Sequence, residues 1–63
     1  MKLKVQAHHL QPGDIVGINI VLKIIAITDT YVRIEVLNGN GRHDELWGKY
    51  TMINVERKEK VES

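Results

Sequence analysis

Tyr31-Val32-Arg33-Ile34-Glu35-Val36-Leu37-Asn38-Gly39-Asn40-Gly41 is the most legible stretch of this 63-residue chain. Val32, Ile34 and Val36 fall on one side of a period-two pattern, and Tyr31, Arg33 and Glu35 fall on the other. That alternation reads as a strand with one buried face. The doubled Asn-Gly that follows tolerates the positive φ that tight hairpins demand, so the chain is expected to turn and come back. Residues 42–47 are more polar and serve as the returning partner. Composition agrees. Val contributes seven residues, Ile eight and Thr three, against seven Leu and Ala together. β-branched side chains are stiff at χ1 and suit a pleated, half-buried surface better than a helix.

On the N-terminal side, Leu3, Val5 and Ala7 alternate with Lys2, Lys4, Gln6 and His8, giving a short strand. Leu10-Gln11-Pro12-Gly13-Asp14 then reads as a type II turn: Pro presets φ at the first central position and Gly supplies positive φ at the second. Asp14 is placed to accept from nearby backbone N–H groups. From Ile15 the chain is apolar on both sides. Gly17 and Asn19 mark a bend between a short strand over 14–16 and a longer one over 20–28. A helix here is disfavoured by Gly17, Asn19 and the crowding of β-branched residues. With Ile20, Leu22, Ile24 and Ala26 directed inward, Val21, Ile25 and Ile27 would face outward beside Lys23.

On the C-terminal side, Gly48-Lys49-Tyr50 reads as a turn. Thr51, Ile53 and Val55 alternate with Met52, Asn54 and Glu56 as a last strand. From Arg57 the chain is charged and reads as a fraying end. The expected organisation is one domain over 1–57 with a charged tail over 58–63. Five or six short strands with turns roughly every ten residues predict an all-β fold: a small five-stranded SH3-like barrel built from a highly bent antiparallel sheet. An OB-fold usually needs a longer chain and a helix.

Val5-x-Ala7-x-x-Leu10-x-Pro12-Gly13-Asp14-Ile15-Val16 resembles the opening of small SH3-like barrels of bacteria and phages, in which a first strand is followed by Leu-x-x-Gly-Asp and an apolar strand. The resemblance covers about a fifth of the chain and speaks to fold far more than to activity. It implies an accessory protein of bacterial or phage type. The same opening is similar to an internal segment of protein-splicing domains. Those need a Cys or Ser nucleophile at their start and a His-Asn pair at their end, which this chain lacks in those places.

Length and charge exclude further classes. A chain this short buries roughly 60% of its unfolded surface and has little interior. With no Cys there is no disulfide, no thiolate zinc site and no thiol nucleophile. Met1-Lys2-Leu3-Lys4 is basic, but Val5-Gln6-Ala7-His8-His9 interrupts any signal-peptide core. The apolar run near residues 15–27 contains Gly17, Asn19 and Lys23 and falls short of the ~20 residues of a membrane helix. A cytoplasmic protein is expected, with no membrane partner.

The candidate sites are few. His8, His9, His43 and Asp44 are ligand types for a metal, but adjacent strand residues point to opposite faces, so surface histidines and no metal are expected. His43, Asp44 and Glu45 form a polar cluster without a pocket to tune a pKa. The Gly-rich stretch 38–41 lacks the Lys-Ser/Thr and helix of a phosphate loop. No enzyme and no cofactor are therefore expected, and Gly13, Asp14, Gly39 and Gly41 are read as structural.

What remains is binding. Tyr31, Arg33, Trp47, Lys49 and Tyr50 are the expected contact surface for a protein partner, since aromatics and Arg anchor interfaces. Trp47 has a second reading, as a core residue whose N–H meets a backbone carbonyl. Lys23, Ile25 and Ile27 are the expected oligomer or partner face, which would make the chain a possible homodimer. Nucleic-acid binding is the alternative function, through Lys2, Lys4, Lys23, Arg33, Arg42 and Lys49 with stacking on Tyr31, Trp47 and Tyr50. The net charge of +1 supplies little counterion-release drive for it.

Overall fold

The computed structural model describes residues 1–58. Six strands form one antiparallel sheet: β1 (Lys2–Gln6), β2 (Ile15–Val16), β3 (Asn19–Ile27), β4 (Tyr31–Asn38), β5 (Gly41–Gly48) and β6 (Met52–Glu56). Their spatial order is β1-β6-β2-β3-β4-β5. The all-β class therefore holds. The strand count is six, because the Gly17-Ile18 turn separates β2 from β3, with Gly17 at φ +63°. Of the expected tail over 58–63, all but Lys58 lies outside the described residues.

The expected barrel does not close. β1 pairs with β6 alone and β5 with β4 alone, so among the described residues each keeps one unpaired edge. β1 ends after five residues in a 3₁₀ turn, Ala7–His9. There Ala7 N–H donates to Thr51 O at 2.9 Å and His8 N–H to Lys49 O at 3.2 Å, both in the turn that joins β5 to β6.

The sheet still bends around one core. Ala7, Leu10, Val21, Val32, Ile34, Val36, Ile53 and Val55 form a single buried cluster, with Leu3, Val5, Val16, Ile24 and Trp47 half-buried against it. Val32, Ile34 and Val36 come from the stretch whose alternation was plainest. They meet Ile53 and Val55 of β6 because the two halves of the sheet turn the same face toward each other.

The turn before β2 is as expected. Gly13 has φ +94°, and Asp14 N–H donates to Gln11 O at 3.1 Å, closing a type II turn. The orientation expected for β3 holds in part: Ile24 packs against the core and Ile25 and Ile27 are exposed, but three other positions are reversed. Val21 is 1% exposed, whereas Ile20 and Ala26, expected inside, are exposed. Two β-bulges are the reason. Val21 pairs with Val36 but Lys23 pairs with Glu35, and Ile24 pairs with Ile34 but Ala26 pairs with Arg33. Each extra residue, Leu22 and then Ile25, shifts the inward-outward phase by one.

Candidate functional site

Cross-strand partners share a face, so the register sorts the surface into rows. The outer face carries the row Lys2, Glu56, Ile15, Ile20, Leu37, Arg42 across all six strands. Beside it run Lys23, Glu35, Asp44 and then Ala26, Arg33, Leu46. The core-side face carries Val21, Val36, His43, then Ile24, Ile34, Glu45, then Ile27, Val32, Trp47.

This geometry divides the expected contact surface. Tyr31 and Arg33 lie on the outer face. Trp47 lies on the other, against the core, which is its structural reading. Its Nε1–H is buried without a hydrogen-bond partner, so the backbone carbonyl expected for it is not there. Lys49 and Tyr50 sit in the turn after β5. There His8 Nδ1–H donates to Lys49 O at 2.9 Å, and the Tyr50 ring stands edge-on to His8 with centroids 5.4 Å apart. The surface thus splits into an outer patch, Tyr31 with Arg33, and a separate aromatic corner, His8 with Tyr50.

The outer patch gains a residue that sequence reasoning missed. Leu46 is 63% exposed and lies directly opposite Arg33. With Tyr31, Arg33, Asp44 and Glu45 it lines a shallow depression of about 290 Å³. The alternation of β5 was the available signal: Arg42, Asp44 and Leu46 share one parity, and the first two are charged. Arg33 is held over this depression by Asp44, with Nε 3.4 Å from Oδ2.

Lys23, Ile25 and Ile27 do not form one face. Lys23 belongs to the outer row with Glu35, Ile25 is a bulge residue, and Ile27 shares a row with Val32 and Trp47. The same bulges that reversed Val21 scatter them. Of the nucleic-acid set, Lys2, Lys4, Lys23, Arg33 and Arg42 do share the outer face, and Lys49 lies apart in its turn. Acidic side chains interleave with them, however: Lys2 faces Glu56, Lys23 faces Glu35, and Arg33 pairs with Asp44.

The most completely built polar arrangement lies at the start of β2. Asp14 is 1% exposed. Arg57 clasps it, with Nε to Oδ1 and Nη2 to Oδ2 both at 2.8 Å, and Gln11 N–H donates to Oδ2 at 2.9 Å. Burial by itself raises the Asp14 pKa, but the bonds from Arg57 and Gln11 outweigh it and hold the carboxyl below its ordinary value of 3.8. Arg57, read from sequence as the start of a fraying end, is instead a fixed part of the fold. Both Asp14 oxygens are thus bonded within the fold.

His8 and His9 lie in the 3₁₀ turn with ring centroids 3.9 Å apart, rather than on opposite faces of a strand. Among the described residues no group of three or more His, Asp or Glu side chains is placed to share a metal ion. No helix among them is long and apolar enough to cross a membrane. Comparison with protein-family models, curated proteins and solved structures finds no match to this chain.

Proposed function

We propose that the chain is a small non-enzymatic binding module of SH3-like kind, an accessory protein of bacterial or phage type. It acts in the cytoplasm by contact with another protein, itself included. The SH3-like part of this reading is supported by the pairing of the first strand with the last, the meander β2 to β5, and the bend that gathers both halves around one core. The binding part rests on one observation: Tyr31 and Leu46 stay exposed on either side of Arg33, around a shallow depression. An aromatic and an aliphatic side chain flanking an arginine supply the apolar area and the directional donor that protein contacts use.

The test is affinity capture from a host lysate, with and without nuclease, comparing the unaltered chain with Tyr31→Ala. A partner that resists nuclease and is lost with Tyr31→Ala is the expected result. A partner retained by Tyr31→Ala would move the contact off this face.

Nucleic-acid binding is the second reading, favoured by the outer-face placement of Lys2, Lys4, Lys23, Arg33 and Arg42. Titration with DNA and RNA at ~50 mM salt, where electrostatic binding is strongest, decides it. Absence of binding there removes it, as would a nuclease-resistant partner that accounts for all captured material.

A further inference from the structure

We propose that the free edge of β5 pairs antiparallel with β5 of a second copy of this chain, joining two sheets into one across a two-fold axis centred on Asp44. The inference rests on the reading of the chain as a protein-contact module and names its partner.

The two edges left unpaired among the described residues differ. β5 pairs with β4 over its full eight residues, Gly41–Gly48, without a register shift, and contains no Pro. A long, unbroken edge of that kind presents a row of unused N–H and C=O groups and is a template for another strand. β1 is five residues long and projects Lys2 and Lys4 beside its edge, a feature that discourages strand addition.

The side chains of β5 favour an antiparallel copy of the strand over a parallel one. The strand carries a cation at Arg42 and anions at Asp44 and Glu45, with no Lys. A parallel copy in register would set like charge on like. In an antiparallel pair on a two-fold axis, residues facing each other must share a side of the sheet, so the axis passes through a residue. Centring on Asp44 or on Glu45 gives the longest ladders, and only the first sets a hydrogen-bond donor opposite an acid. It sets His43 opposite Glu45 twice and Arg42 opposite Leu46 twice. The Arg42 stem then covers the exposed Leu46 while its head stays in water. The one like-charge contact, Asp44 against Asp44, is relieved on each side by the chain's own Arg33, 3.4 Å away. Centring on Glu45 sets Asp44 against Leu46 and His43 against Trp47, and gives neither acid a donor.

The absence of Cys makes the test clean. In the Asp44→Cys variant the two new thiols face each other across the axis at a Cα separation of about 4.5–5.5 Å, within reach of a disulfide. Air oxidation is expected to give a cross-linked dimer many times faster than for Asn54→Cys, exposed on β6. Sedimentation equilibrium of the unaltered chain is expected to show a monomer–dimer equilibrium. Leu46→Arg should weaken it about tenfold by setting like charges opposite at two symmetric places. The double variant Arg42→Glu with Leu46→Arg should restore it, since those positions lie far apart within one strand and meet only between copies. Far-UV circular dichroism confirms that each variant is folded; the replaced side chains are exposed.

A monomer at every concentration to about 1 mM, where even a weak millimolar association would register, would overturn the proposal. So would a dimer in which Asp44→Cys cross-links no faster than Asn54→Cys. A monomer that still captures a partner through Tyr31 leaves the functional reading intact and removes this one. A β5-linked dimer that captures nothing else supports this one and narrows the functional reading to self-association.

Discussion

Asp14 is the side chain most dependent on a distant partner. A carboxylate buried in so small a domain is tolerable only when every oxygen is bonded, and Arg57 supplies two of its three bonds. Arg57→Ala leaves that charge uncompensated and should cost about 3 kcal/mol, a large share of what a domain of this size has. Arg57→Lys should recover only part, because an ammonium cannot reproduce the two-pronged fork. Urea denaturation followed by circular dichroism reads both. The same pair fixes an acid sensitivity. Because folding lowers the Asp14 pKa, its contribution is fully present above the ordinary 3.8 and is lost as pH falls through the lowered native value. Below pH 3.8 the denaturation midpoint should therefore fall, and the fall should be shallower in Asp14→Asn. Equal slopes in the two proteins would assign the acid sensitivity to other carboxylates. The sequence showed Asp14 as a turn residue and gave no sign of Arg57. Nothing in their spacing links residues 14 and 57 until β6 lies beside β2.

Among the elements, β4 and its hairpin were readable and β3 was not. In β4 one face is core and the other solvent, so alternation survives in the residue types. In β3 both parities are apolar, and the two bulges that set its phase leave no mark in composition. The hairpin shows the same limit at finer grain. Asn38-Gly39-Asn40-Gly41 correctly marks a turn, but the positive φ falls on Gly41 alone, at +104°, while Asn38 Oδ1 accepts from Asn40 N–H at 2.8 Å. Gly41→Ala should thus cost about 1 kcal/mol, whereas Gly39→Ala, with open space at its Cβ, should be close to neutral. Trp47 at the far end of β5 offers a second check. Its buried N–H lacks a partner, a situation that costs about 1–3 kcal/mol. Trp47→Phe removes that cost along with some apolar area, so stability should stay within about 1 kcal/mol of the unaltered chain. Trp47→Ala should lose about 3 kcal/mol through the cavity alone. A Phe variant as damaging as the Ala variant would show that the N–H is satisfied in solution.

For the whole molecule, the decisive fact is which strands are neighbours. β2, β3, β4 and β5 follow one another as a meander, each paired with the next, so their contacts are local. β1 and β6 pair residues 2–6 with 52–56, and closing that long loop costs chain entropy before any contact repays it. Sequence patterning locates the strands but is nearly silent on this order, which is why a closed barrel was expected and an open, bent sheet is found. The order also dictates a folding sequence. The β3–β4–β5 meander should be formed in the transition state, and the β1–β6 pair should dock afterward. Val36→Ala, in the centre of the meander, should then slow folding and leave the unfolding rate little changed. Leu3→Ala, half-buried on β1, should leave folding nearly unaltered and speed unfolding. Stopped-flow measurement on both arms of the denaturant dependence separates the two cases. If Leu3→Ala slows folding as much as Val36→Ala, the two ends of the chain meet early, and the bent sheet is organised from its longest-range pair rather than from its hairpins.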